Sequence, residues 1–327
     1  MRVGLWSFAH LHAYSYLNVL LQREDLDGVL IGDEDASRGC QVAEAHKLPF
    51  LSAPEELLGQ VDAVILTSAN VDHRAMALMA AEAGVHALVE KPIATSVSAA
   101  QEMIAAFRRR GLILATAFPC PFSPAFEALQ ATVAGGELGR VLAVCSTNRG
   151  KMPGGFFIEL ERSGGGAVID HTVHVADLLR RLLGGPPEKV YAEVGHGLFH
   201  QAWEDSGLLT LEWADGTFAT LDCSWSRPES FPTWGDVTLH VVGEQGNADA
   251  DLFGQRVMFY PDAVVPPRWQ GWGTDLDALM IDDWIQAVRE GRPPRSSGED
   301  GLSALKVALA AYVSAARGAP VSLMELE

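Results

Sequence analysis

Short apolar runs alternate with helix-length stretches over the first hundred or so residues, and few folds accommodate that alternation. Arg2-Val3-Gly4-Leu5-Trp6 reads as a buried strand, and the stretch through Tyr16-Leu17-Asn18-Val19-Leu20-Leu21 as a helix. Gly28-Val29-Leu30-Ile31-Gly32-Asp33 is a second strand that ends in acid. It is followed by a helix over about 36–46, a helical turn at 54–58 and the strand Ala63-Val64-Ile65-Leu66-Thr67. A helix over about 72–83 then leads to the strand His86-Ala87-Leu88-Val89. Strands that are apolar throughout, joined by helices, predict a parallel sheet covered on both faces, the doubly wound nucleotide-binding arrangement.

In such a domain the ligand sits at the carboxyl ends of the strands, and glycines in the first strand-to-helix turn normally hold a pyrophosphate. Here the G-x-G-x-x-G register falls on Ser7, Ala9 and His12, with Phe8 and His10 beside them, so all three glycines are replaced. Asp33 follows the turn by about twenty residues, where a carboxylate accepts hydrogen bonds from an adenosine ribose. An ordinary turn aspartate is the other reading of that position. Glu34 and Asp35 add repulsion against a 2′-phosphate, which favours NAD over NADP.

Composition narrows the partners. The 327-residue chain carries a net charge of -18, and nucleic acid or an anionic membrane needs a basic field, so a small molecule is the expected ligand. Cys40, Cys120, Cys145 and Cys223 lie far apart with no Cys-x-x-Cys spacing, so neither a disulfide framework nor a structural zinc site is indicated. With no signal-peptide pattern and no run of about twenty apolar residues, a cytoplasmic location is expected.

A second concentration of chemistry follows the glycine run Gly164-Gly165-Gly166, which reads as a flexible lead into a helix. Asp170, His174 and Asp177 fall on neighbouring turns of one helix face, with His171 beside them. A carboxylate four residues before an imidazole can orient it and raise its basicity, as proton transfer at neutral pH requires. At Glu90-Lys91-Pro92 the strand over 86–89 ends in a charge pair, and the proline disfavours helix at Lys91, holding the lysine at the sheet's carboxyl edge.

Asp33, Thr67-Ser68-Ala69-Asn70-Val71-Asp72-His73, Glu90-Lys91-Pro92 and Gly164-Gly165-Gly166 followed by Asp170-x-x-x-His174-x-x-Asp177 together resemble the glucose–fructose oxidoreductase/inositol dehydrogenase/MocA (Gfo/Idh/MocA) family. The closing Ser297-Gly298-Glu299-Asp300-Gly301-Leu302 and Pro320-Val321-Ser322-Leu323 fit the same pattern. The resemblance implies an N-terminal Rossmann domain over 1–118 that binds a nicotinamide dinucleotide. Over 119–327 it implies an α/β domain with a large, mostly antiparallel open sheet, whose C-terminal helix is allowed to pack back on the first domain. It carries Lys91 and His174 over as catalytic, with Asp170 as partner. Ser7, Phe8, Ala9, His10, His12, Asp33, Thr67, Ser68, Asn70, His73, Glu90 and Lys91 carry over to the cofactor side. Two departures stand out: the glycine-free turn, and Pro119-Cys120, where relatives often place an asparagine and an arginine.

In the second domain, Arg149 and Lys151 sit in a glycine-rich loop that reads either as a pocket wall or as a solvent-exposed loop, and substrate contacts are assigned to Lys91, Arg149, His171 and His174. Leu208-Leu209-Thr210-Leu211-Glu212-Trp213 and 218–225, joined by Ala214-Asp215-Gly216-Thr217, predict a hairpin. Further strands are expected at 236–242 and 255–260. Trp225, Trp234 and Trp272 have the chemistry to stack on a sugar ring, although core or interface positions are the commoner use of such tryptophans. An open sheet face must be covered, which predicts a homodimer or homotetramer. His196 and His200, with His171 and His174, do not form a ligand spacing, and no metal is assigned. The expected activity is hydride transfer between NAD(H) and a secondary alcohol or ketone of a sugar or polyol. The alternatives are epimerisation or elimination on a tightly held NAD, and a non-catalytic NAD-responsive binding protein.

Overall fold

The computed structural model describes residues 1–259, 268–271 and 273–326. Two compact units emerge, one of Met1–Pro119, Glu161–Gly164 and Asp277–Leu302, the other of Cys120–Leu160, Gly165–Leu276 and Ser303–Glu327.

In the first unit β1 (Arg2–Trp6), β2 (Gly28–Gly32), β3 (Phe50–Leu51), β4 (Ala63–Leu66), β5 (His86–Val89) and β6 (Leu114–Thr116) form one sheet in the order β3-β2-β1-β4-β5-β6. All its pairings are parallel, with Val3 facing Val29 on one side and Ala63 on the other. Every residue of β4 is buried, because helices cover both faces: α1 (His12–Leu21), α2 (Ala36–His46), α3 (Pro54–Leu58), α4 (His73–Ala83) and α5 (Val97–Arg110). Strand order reverses between β1 and β4, and the crevice at the carboxyl ends there is where such sheets bind ligands. Residues 277–302 complete the unit: Thr116 N donates to Ser296 O at 3.0 Å, and Ala115 bridges Ser297 in antiparallel sense. A Cβ on Gly301, in the first turn of the helix that follows, would lie 2.3 Å from Thr116 Oγ1, so this helix start packs closely on the sheet edge.

The second unit opens with α6 (Pro124–Ala134) and β7 (Val141–Thr147), and a short helix, α7 (Leu160–Ser163), straddles the boundary before α8 (Ala167–Leu183). Its sheet adds β8 (Lys189–Gly195), β9 (Ser206–Glu212), β10 (Phe218–Asp222), β11 (Thr238–Gly243) and β12 (Asn247–Asp251). A separate ribbon pairs β13 (Arg256–Phe259) with β14 (Arg268–Gly271), so the strand expected at 255–260 is present up to Phe259, and Tyr260 lies outside the described residues. The chain ends through α9 (Leu276–Glu290), α10 (Gly298–Arg317) and β15 (Val321–Ser322). The sheet order is β12-β11-β7-β10-β9-β8-β15, antiparallel except between β7 and β10. The expected hairpin is β9–β10, closed by Trp213 N donating to Thr217 O and by Gly216 at φ 87°.

Period-two alternation sets the faces of this sheet. Leu209, Leu211, Ala219, Leu221, Val190 and Val241 point inward and are buried, and α8 packs against β7 and β9. α8 is buried along most of its length although it carries Asp170, His171, Thr172, His174 and Asp177, and polar groups buried on a helix need partners, which is why these residues carry weight. Trp225, weighed as a stacking platform, is a core residue with 1% exposure, edge-on to Trp203. Trp272 lies outside the described residues.

Candidate active site

In the first unit the glycine-free turn keeps the shape of a dinucleotide turn. Ser7 stands at the first glycine position and takes φ 83°, the left-handed backbone that glycine ordinarily supplies. Its hydroxyl donates to Glu34 Oε1 at 2.8 Å, and Thr67 Oγ1 donates to Ser7 O at 2.6 Å, so side chains hold the strained residue in place. The N-cap residue of α1, Leu11, offers no side-chain cap, and the first turn holds no acidic residue, so the positive end of the helix dipole is not neutralised by a carboxylate of that turn. Ala9 N donates to Ser7 Oγ, and His10 N to Thr67 O.

Asp33, at the end of β2, is 4% exposed and accepts four hydrogen bonds: from Phe8 N at 2.9 Å, Asp35 N at 2.8 Å, and Arg38 Nε and Nη2 at 2.9 and 2.6 Å. Those bonds tie the β1–α1 turn to the start of α2. Arg38 is a site residue that sequence reasoning missed. Its signal was present, since a basic residue in the first helical turn after an acidic strand end is placed to fold back on that acid. A cleft of about 280 Å³ opens beside Asp33 and Glu34, walled by Leu51, Leu57, Ala75 and Met76. Apolar walls next to a carboxylate suit a heteroaromatic base joined to a ribose, so this edge fits an adenine dinucleotide.

At the end of β5, Glu90 is fully buried. Burial by itself would raise its carboxyl, but His10, His12 and Lys91 outweigh that and hold it well below the usual range, so it is ionised. Its Oε1 accepts from Tyr16 Oη at 2.6 Å and lies 3.1 Å from His12 Nδ1 and 3.6 Å from His10 Nδ1. Its Oε2 accepts from Lys91 N at 3.0 Å. Lys91 itself is 4% exposed. His73, assigned to the cofactor side, is fully buried, and burial first of all lowers its pKa. Its Nδ1 sits 3.0 Å from Pro92 O, so the neutral ring donates there and pins the residue that follows Lys91. Asn70 Nδ2 donates to Ser163 O at 2.8 Å, and Ser68 Oγ to Ala69 O.

In the second unit α8 carries the other candidates. Asp170 is 5% exposed, accepts from Trp225 Nε1 at 3.1 Å and lies 3.3 Å from His171 Nε2. His174 follows one turn later at 9% exposure, and Asp177 is bound by Arg180 and Arg181. The loop over 149–151 closes on His171: a Cβ on Gly150 would meet the His171 ring at 2.7 Å. Arg149 is not a lone pocket cation. Its guanidinium lies 3.1 Å from Asp236, which also binds Arg227. Trp234 is 45% exposed, and its carbonyl accepts from Lys151 N.

The glycines ahead of α8 are not flexible, contrary to the expectation. A Cβ on Gly166 would lie 2.1 Å from Glu204 O, and one on Gly165 2.1 Å from Tyr312 Oη, so close packing requires both. Buried Glu204 then caps the helix from outside, accepting from Gly166 N at 2.6 Å, Val168 N at 3.2 Å and Tyr312 Oη at 2.5 Å. Neither residue carries a local signal, because both contacts span more than thirty residues of chain.

Comparison with known proteins agrees with this anatomy. Residues 3–118 match the oxidoreductase family with an NAD-binding Rossmann fold, and residues 126–249 match the GFO/IDH/MocA C-terminal domain. The chain is 29% identical to the 1,5-anhydro-D-fructose reductase of Ensifer adhaerens over 86% of its length and 87% of the relative's. It is also 29% identical to inositol 2-dehydrogenase 2 of Paenarthrobacter aurescens, over 86% and 85%. Among solved structures, GenD2 from gentamicin A biosynthesis in complex with NAD superposes with a TM-score of 0.90 at 26% identity, covering 98% of this chain and 96% of that one. Two matched domains in sequence, with the six-stranded parallel sheet and the open mixed sheet in space, place the chain in the Gfo/Idh/MocA family of oxidoreductases.

Proposed function

We propose that the chain is an NAD-dependent dehydrogenase that oxidises a secondary alcohol of a sugar or polyol, or reduces the corresponding ketone. The observation that carries this reading is Lys91: a buried amine at the carboxyl edge of an NAD-binding sheet, its backbone held by Glu90 on one side and by the His73–Pro92 bond on the other. When bound, the nicotinamide supplies the hydride acceptor. Lys91 Nζ stabilises negative charge as it develops on the substrate oxygen, and His174 takes the hydroxyl proton on its imidazole, with Asp170 and His171 shaping that end of α8. Sugar- and inositol-acting relatives support the substrate class.

A panel of sugars, inositols and sugar acids, followed by nicotinamide absorbance with NAD and with NADP, tests this reading. At least one polyol or sugar is expected to give stoichiometric reduction of the dinucleotide. Cofactor that stays bound through purification with no net redox product on any compound would favour epimerisation or elimination instead.

The preference for NAD is assigned to Asp33 with Glu34. A carboxylate has about four acceptor sites, and Asp33 fills all of them, so ribose hydroxyls must replace one arm of Arg38. Substituting Asp33→Ala removes the ribose acceptor and frees Arg38 for a 2′-phosphate. The ratio of kcat/KM for NAD to that for NADP is expected to fall roughly a hundredfold, the scale of two charge-assisted hydrogen bonds. An unchanged ratio in a folded variant would remove Asp33 from the assignment.

A second copy of the chain is proposed to cover the outer face of the second unit's sheet. Leu208, 63% exposed, and Cys145, Tyr191, Thr210, Thr220 and His240 line a shallow depression of about 600 Å³ there. Leu208→Glu is expected to shift the species seen by sedimentation towards monomer, and a wild-type chain that sediments as a monomer would end this part of the reading.

A further inference from the structure

We propose that His10, His12 and Glu90 bind one divalent cation of the zinc class. Among the described residues they are the group of histidine, cysteine and carboxylate side chains whose ligand atoms all lie within 4.8 Å of one another. The site stands at the carboxyl ends of two strands of the first unit: His10 comes from the turn after β1, His12 from the first residue of α1, and Glu90 from just past the end of β5.

The distances are compatible with a bound ion. Bonds of about 2.0–2.2 Å to nitrogen and oxygen in a tetrahedron set neighbouring ligand atoms about 3.4 Å apart. The two imidazole Nδ1 atoms stand 3.1 and 3.6 Å from Glu90 Oε1, on either side of that value. Two imidazoles with one carboxylate form a borderline donor set, suited to Zn²⁺ or Co²⁺ and unlike the all-oxygen shells of Mg²⁺ or Ca²⁺. Three protein ligands leave a position open for water or an oxygen of a bound small molecule. Tyr16 Oη donates to the same carboxylate oxygen at 2.6 Å and Lys91 N to the other at 3.0 Å, the outer hydrogen bonds that orient a ligating carboxylate. His12, with 30% of its side chain exposed, gives the ion a way in, while His10 and Glu90 are buried. On binding, the ion takes the His10 Nδ1 lone pair that otherwise accepts from His12 N at 3.2 Å, and displaces the proton shared by His12 and Glu90.

His12 stands at the third glycine position of the dinucleotide motif and His10 lies within the same stretch, so one of the replacements that remove the glycine signature also supplies a donor. Metal uptake by the cofactor-free chain is measured without turnover, so its failure and the failure of the dehydrogenase reading are told apart.

The full chain, stripped with a chelator and desalted, is titrated with Co²⁺. One equivalent per chain is expected, with the visible absorption of a low-coordinate nitrogen–oxygen site, displaced by one equivalent of Zn²⁺. His12→Ala and Glu90→Gln are expected to weaken uptake roughly a hundredfold or more, and Tyr16→Phe about tenfold, the lower end of outer-partner effects. His240→Ala, which breaks the exposed His240–Asp249 pair, should leave uptake intact. Absence of saturable uptake, uptake undiminished in His12→Ala and Glu90→Gln, or loss in His240→Ala overturns the proposal. X-ray absorption on the zinc-loaded wild-type chain decides the matter if those variants fail to fold: a shell with two imidazoles supports the site, and one without imidazole sinks it.

Discussion

Lys91→Ala is expected to lower kcat about a hundredfold or more while dinucleotide binding stays near its wild-type level. The argument starts from where the amine is held. β5 is buried along most of its length and delivers Lys91 to the carboxyl edge of the sheet, where Glu90 accepts from its backbone N–H and His73 fixes the next carbonyl. An amine so placed, 4% exposed, is poorly screened, and its charge acts on developing negative charge with more force than it would in water. Removing it takes away stabilisation made chiefly in the transition state, so the loss should appear in kcat more than in KM. His174→Ala belongs with it, since loss of a general base commonly costs between about a hundredfold and ten-thousandfold. Steady-state kinetics with a responding polyol, alongside dinucleotide binding by fluorescence quenching, checks both. Near-normal turnover in either variant would withdraw that residue's role.

The second large effect is on stability. Gly166→Ala is expected to destabilise the second unit by about 3 kcal/mol, because its Cβ would stand 2.1 Å from a backbone oxygen of Glu204, an atom that cannot rotate away. Glu204→Ala should cost a similar amount by a different route. It removes a buried carboxylate that accepts from two amides at the start of α8 and from Tyr312, leaving those amides without their acceptor. At roughly 2–4 °C per kcal/mol for a unit of this size, each should lower the unfolding midpoint by about 10 °C. Gly185→Ala serves as the control, since a Cβ there meets nothing within 4 Å and should shift stability by no more than about 0.5 kcal/mol. Thermal unfolding followed by circular dichroism separates the three, and a Gly166→Ala midpoint equal to that of Gly185→Ala would refute the packing argument.

Much of this architecture is visible in the residues themselves. β4 reads as a strand because all four of its residues are apolar, and β9 with β10 as a hairpin because two strand-like runs flank Ala214-Asp215-Gly216-Thr217, and both signals act within a few residues. Lys91 is legible for the same reason, since a proline directly after it and a strand directly before it leave little freedom. Asp33 shows itself as an acid at a strand end, but of the four donors gathered on it, that of Phe8 comes from a turn twenty-five residues earlier, and only the fold brings it there. The glycines before α8 mislead when taken alone. Glycine permits both flexibility and close packing, and only the nearness of Glu204 and Tyr312 decides which applies.

The order of apolar and polar residues determined the alternation of strands and helices in the first unit and the position of the β9–β10 hairpin, because those properties depend on periodicity and on neighbours within a turn or two. The two-domain plan and the roles of Lys91 and His174 were instead implied by the family resemblance. Tertiary structure decided that Asp170 meets Trp225, that Arg149 is engaged by Asp236, and that His10 and His12 gather on Glu90. Contacts of that kind arise only when chain segments tens of residues apart are brought within bonding distance, and no local pattern records the distance between them.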